Sequence, residues 1–79
     1  MGNVWQIRIE AIENAKTLNK ICCGFDEDID IISGRYVIDA KSLLGIFSID
    51  LTMQVSIEIH STDEAVLQRF ANEIKDYAI

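Results

Sequence analysis

A chain of 79 residues has room for one domain, expected here over residues 1–79, whose core can bury only a modest share of its surface. Its 49% hydrophobic and 25% charged residues exclude a disordered chain, and a formal charge of −6, from 13 acidic and 7 basic residues, argues against a nucleic-acid partner. The longest strictly apolar run, Leu43-Leu44-Gly45-Ile46-Phe47, is five residues, far short of the ~20 that insert in a bilayer as a helix.

Val4 to Glu10 alternates, with Trp5, Ile7 and Ile9 on one face and Gln6, Arg8 and Glu10 on the other, which predicts a half-buried strand. From Ile12 to Cys23 the apolar positions Ala11, Ala15, Leu18, Ile21 and Cys22 fall at helical spacing, and Gly24 supplies a stop. Asp28 to Ile32 reads as a second strand and Tyr36 to Ala40 as a third, joined across Ser33-Gly34 as a hairpin. Ser42 to Ile49 is too apolar for a surface loop and too short for an independent helix. Gln54 to Ile59 alternates again with Val55, Ile57 and Ile59 inward. Ser61-Thr62-Asp63-Glu64 has the form of a capping box, and Val66, Leu67, Phe70, Ile74 and Tyr77 form the stripe of a last helix.

The order is strand, helix, strand, strand, short helix, strand, helix. Four short strands with helices on one face define an α+β open-faced sandwich. Periodicity alone leaves other small sandwiches open, including metabolite-sensing modules of β-α-β-β-α-β order.

Few residues carry chemistry. The start, Met1-Gly2-Asn3-Val4-Trp5, has neither a basic leader nor an apolar core, and Gln6 stands where a myristoylation signal needs a hydroxyl, so a cytoplasmic location is expected. Cys22 and Cys23 are adjacent, a spacing that strains a disulfide; both read as reduced thiols, one of them packed. His60 is the single histidine, and one imidazole without partners is no metal site. No cofactor is expected. Ser42 is placed to cap the short helix, with Asp39 a candidate to share that role. Lys41 and Arg35 read as solvated charges, and Asp26-Glu27-Asp28 as a solvated loop.

The stretch DIDIISGRYVIDAKSLLGIFSIDL, Asp28 to Leu51, resembles the middle of the histidine-containing phosphocarrier (HPr) family of the bacterial phosphoenolpyruvate-dependent sugar phosphotransferase system. The resemblance rests on a hairpin followed by Lys41-Ser42-Leu43-Leu44-Gly45. It extends through VSIEIHSTDEAVLQRFANEI to cover roughly residues 28 to 74. It implies a four-stranded antiparallel sheet with three helices on one face. It also implies that partners of the phosphotransferase system, or a regulator, dock on Lys41, Ser42, Leu43, Leu44, Ile46 and Phe47. Ser42 matches a serine that a dedicated kinase phosphorylates in many members, which makes it a candidate phosphorylation site.

The family carries phosphate on a histidine opening its first helix, inside a His-Ala-Arg-Pro-type motif. Counting back from Phe25 without gaps puts Ala11, Ile12, Glu13 and Asn14 there; a two-residue shift puts Glu13 at the histidine. Alanine has no nucleophile, and Glu13 at the place of the phosphate-clamping arginine would repel phosphate. Three readings follow: a relative that docks or regulates without carrying phosphate on histidine, a carrier that uses Glu13 or His60 instead, and a small sensing or structural domain of the same architecture.

Overall fold

The computed structural model describes residues 2–79. Its elements in chain order are β1 (Val4–Arg8), α1 (Ile12–Cys23), β2 (Ile29–Ser33), β3 (Tyr36–Asp39), α2 (Leu43–Phe47), β4 (Gln54–Ile59) and α3 (Glu64–Ile74). The four strands form one antiparallel sheet in the order β1-β4-β2-β3. The three helices cover one face and leave the other open, which is the expected α+β open-faced sandwich.

Alternation explains this one-sidedness. Ile7, Ile29, Ile31, Val55, Ile57 and Ile59 project toward the helices and are buried. Their neighbours Gln6, Asp30, Ser56 and Glu58 project to the open face and are exposed or half-buried. Each fully buried isoleucine contributes roughly 1.5–3 kcal/mol of transfer free energy. From the helices, Ala15, Leu18 and Cys22 on α1, Ile46 on α2, and Leu67, Phe70 and Ile74 on α3 complete the layer. Phe70 is its hub: Trp5 and Phe25 both meet it edge-on, at centroid distances of 5.4 and 5.3 Å. Arg69 lies 3.9 Å over the outer face of the Phe25 ring and donates to the Gly24 carbonyl at 2.8 Å, so it closes the corner between α1 and α3.

Several boundaries differ from the sequence reading for local reasons. The first strand stops at Arg8, because Glu10 adopts φ 73° and the Ala11 amide bonds back to the Ile9 carbonyl at 3.0 Å. Ala11 is not part of the buried stripe of α1; it is the exposed N-cap, without a side-chain cap. The expected capping box does not form with Ser61 as cap. Asp63 is the N-cap of α3 and accepts from the Ala65 amide at 2.9 Å, while Ser61 sits two residues earlier and accepts from the Asp63 amide at 3.1 Å.

The β2–β3 hairpin turns on Gly34 at φ 60°, the left-handed conformation a two-residue turn demands. Gly45 is needed for a different reason. α2 lies so close to β3 that a Cβ at Gly45 would stand 2.7 Å from Ile38 Cγ2. Gly45→Ala gains about 1 kcal/mol of helix propensity and forces a β-branched neighbour to move, at about 1–3 kcal/mol. The expected outcome in urea denaturation is a lower midpoint with an unchanged slope.

Candidate functional site

The residues singled out from the sequence fall mainly on two surfaces, the opening of α1 and the stub α2. At the first, the chain leaves β1, passes through the left-handed Glu10, and enters α1. Glu10 is the one non-glycine residue with positive φ among the described residues. Its γ-turn is held by two donors on the Ile9 carbonyl, the Ala11 amide at 3.0 Å and Asn14 Nδ2 at 2.8 Å. The Glu10 amide is fixed by the Leu51 carbonyl at 2.7 Å. Such a turn stores on the order of 1–3 kcal/mol and persists because its neighbours hold it.

A shallow cleft of about 410 Å³ opens here, lined by Arg8, Glu10, Asn14, Asp76 and Tyr77. Arg8 is a cleft residue that sequence reasoning missed: it read as an outward position of β1, and only the turn at Glu10 brings the α1 opening and the residues after α3 beside it. One guanidinium against the carboxylates of Glu10 and Asp76 leaves the cleft without a net anion-attracting charge. Glu13 stands in the first turn, exposed, with its carboxylate 3.4 Å from Lys16 Nζ along the helix. There it favours the positive end of the helix dipole.

His60 lies at the other end of the sheet. It follows the last residue of β4, whose first residue, Gln54, pairs with Arg8 next to the α1 opening. Six strand residues separate those ends, about 20 Å. The imidazole is exposed, and its Nε2 is 2.7 Å from Asp30 Oδ2. Asp28 and Asp39 line the same shallow depression. The bond to Asp30 raises the His60 pKa above the ordinary value of 6.5, with Glu58 and Asp28 adding to the effect. The residues that line this depression, Asp28, Asp30, Asp39 and His60, include no lysine or arginine.

At α2 the sequence reading is resolved residue by residue. Ser42 is the N-cap, exposed, and its Oγ accepts from the Gly45 amide at 3.2 Å. Asp39 does share in the entry: its Oδ1 accepts the Lys41 amide at 2.9 Å and its carbonyl accepts the Ser42 amide at 3.0 Å. Lys41 is not a solvated charge. It is half-buried, and its Nζ donates to the Phe25 carbonyl at 2.7 Å, tying α2's entrance to the loop after α1. Leu44 is 84% exposed and Phe47 39%, Leu43 is half-buried, and Ile46 is 0% exposed. Ile46, expected on a docking face, is instead a core plug; the exposed apolar residues of α2 are Leu44 and Phe47.

The cysteines divide as expected into one packed and one exposed thiol, both free. Burial pushes the Cys22 thiol up to about 12, with the adjacent Cys23 adding to it, so it is inert at neutral pH. No helix among the described residues is long and apolar enough to cross a membrane. No cluster of three or more metal-ligating side chains occurs among them either.

The arrangement is that of an open-faced sandwich with a cleft at the opening of its first helix. Solved structures share the open-faced sandwich. The chain superposes on a histidine-containing phosphocarrier protein from Mycoplasma with a TM-score of 0.70 at 18% identity, over 92% of each chain. It superposes on HPr-C-His from Thermoanaerobacter tengcongensis with a TM-score of 0.73 at 18% identity, over 92% of this chain and 90% of the other. At that identity the likeness establishes an HPr-like fold. No protein-family model matches the chain, and no curated protein matches it.

The His60–Asp30 pair carries a pH signature. Because the folded pKa is raised above the unfolded one, the stabilisation is fully present below about pH 6.5 and is lost as pH rises through the folded value. The difference in thermal midpoint between wild type and His60→Gln is expected to be larger at about pH 5.5 than at about pH 8.5, on the alkaline side of the transition.

Proposed function

We propose that this chain is an HPr-like cytoplasmic domain that docks or regulates proteins of the phosphotransferase type and does not carry phosphate on a histidine. One observation carries the reading: the opening of α1, where phosphocarriers of this fold hold their histidine, presents Ala11 as the exposed helix cap and Glu13 in its first turn. The N-cap placement of Ala11 favours the ungapped register over the shifted one. A methyl group cannot attack phosphorus. A carboxylate in place of the expected arginine repels the incoming group, and the cleft beside it is no better furnished with cations.

The two substitute acceptors are disfavoured on physical grounds. Glu13 points along the helix to Lys16. His60 is held by Asp30 and faces Asp28 and Asp39, so a phosphohistidine there would sit among three carboxylates with no compensating charge. Its raised pKa also keeps more of the imidazole protonated and without a free lone pair.

What remains functional is α2. Leu44 and Phe47 form an exposed apolar contact beside Ser42, and Ser42 is accessible at a helix cap where added phosphate meets the free amides of Leu43 and Leu44. Phosphorylation would break the cap's present bond to the Gly45 amide or replace it with a stronger one, and would set two negative charges against an apolar contact.

Incubation with phosphoenolpyruvate and the first enzyme of the phosphotransferase system is expected to leave no acid-labile phosphate by mass spectrometry. Stoichiometric labelling would refute the reading. A kinase specific for the HPr serine is expected to add one phosphoryl group to the wild type and none to Ser42→Ala. That variant also loses about 1 kcal/mol of cap stabilisation. Leu44→Arg is expected to weaken partner binding about tenfold or more with little change in thermal midpoint, since Leu44 packs against nothing in the core.

A further inference from the structure

The two borders of the sheet differ. β1 is partnered on its outer side by the residues after α3: Arg8 N donates to the Tyr77 carbonyl and Ile79 N to the Gln6 carbonyl, both at 3.0 Å, and Ile7 bridges Ala78. β3 has no strand beyond it. Ala40 N donates to the Ile29 carbonyl at 2.9 Å, which makes that pair a bonded one. Alternation along the β2–β3 register then turns the N–H and C=O of Val37 and Asp39 away from β2. Tyr36-Val37-Ile38-Asp39 contains no lysine, proline or bulge; the border is limited only by its four-residue length, the charge of Asp39 and the Ser42 amide already on the Asp39 carbonyl. Tyr36 and Val37 are 69% and 66% exposed.

Charge says what completes it. On the open face Asp39 lies opposite Asp30, and Asp30 opposite Glu58, so three carboxylates stand in register on adjacent strands. Like charges so placed repel. His60 answers Asp30, and Asn3 Nδ2 reaches Glu58 at 3.4 Å. Asp39 has only the Lys41 amide, with no side-chain cation in ion-pair range among the described residues. Arg35, two residues before Val37 as Asp39 is two after, is exposed and makes no hydrogen bond or ion pair among the described residues.

We propose that β3 pairs with β3 of a second copy of this chain, antiparallel about a two-fold axis through Val37. In that register the two Val37 residues form the central bonded pair, each N–H donating to the other's carbonyl. Parity is satisfied, because those groups are the ones turned away from β2. Arg35 of each copy meets Asp39 of the other, which supplies the cation the carboxylate row lacks. Tyr36 meets Ile38 on the helix side, over the shallow groove that Tyr36, Val37, Ile38, Ser48 and Ile49 line. The interface is isologous, as a two-fold axis requires. The exposed ion pairs set register and partner choice more than affinity.

Sedimentation equilibrium of the 79-residue chain from about 10 µM to about 1 mM is expected to show the mass rising from 8.9 kDa toward twice that value. Amide exchange at Val37 and Asp39 should slow over the same range. Val37→Pro removes the central donor without touching the β2 ladder and is expected to abolish the rise while unfolding stays cooperative. Arg35→Asp should weaken association by about tenfold, and the reversed variant Arg35→Asp/Asp39→Arg should restore it. That reversed chain is expected to form no mixed dimers with wild type, where like charges would meet. A mass that stays at 8.9 kDa throughout overturns the proposal, as does protection of β3 only by another protein's strand. A dimer that survives in folded Val37→Pro overturns it too. Should Val37→Pro fail to fold, the charge-reversal mixture decides, and free mixing with wild type refutes the register.

Discussion

Everything in this fold depends on a layer of isoleucines that faces one way. Ile7, Ile29, Ile31, Ile57 and Ile59 each lose all contact with water, and they do so on one side of a four-stranded sheet. Three helices must cover that side, and none covers the other. α2, too short to be stable alone, exists because Ile46 plugs the layer above β3 and Gly45 lets the backbone come close enough. The exposure of Leu44 and Phe47 follows from the same geometry: five helical residues have room for one plug, and the remaining apolar side chains are left on the outside.

The architecture was legible in the sequence wherever a period was long enough to read. Gln54–Ile59 alternates over six residues and α1 keeps its stripe over twelve, and both appear with the expected bounds. Elements failed to be legible where two residues compete for one role or where a partner is distant in sequence. Ser61 and Asp63 are equally able to cap a helix; tertiary packing chose the later one. Lys41 looks solvated until the loop after α1 brings the Phe25 carbonyl to its ammonium, a contact between residues sixteen positions apart. Glu10 gives no signal at all, since glutamate is not a residue that prefers positive φ; its conformation is imposed by the bonds to Ile9 and Leu51.

The candidate site was legible in a more limited way. Residue identities alone place a methyl and a carboxylate near the opening of α1, and the coordinates add that Ala11 is the cap itself. They add Arg8 and Asp76, which no local pattern associates. They separate the buried Ile46 from the exposed Leu44 and Phe47. The family resemblance groups those residues, whereas the helical period sends neighbours to opposite sides.

The tail that runs beside β1 has a consequence for how large any assembly can grow. With Tyr77 to Ile79 bonded to Arg8 and Gln6 along that border, a pair of chains joined through β3 would keep only the Val4 end of β1 open at each outer flank. The joined eight-stranded ribbon would therefore offer a short template to any further strand, which limits its growth toward a protofilament. Displacing Tyr77 to Ile79 would lengthen that template to the whole of β1.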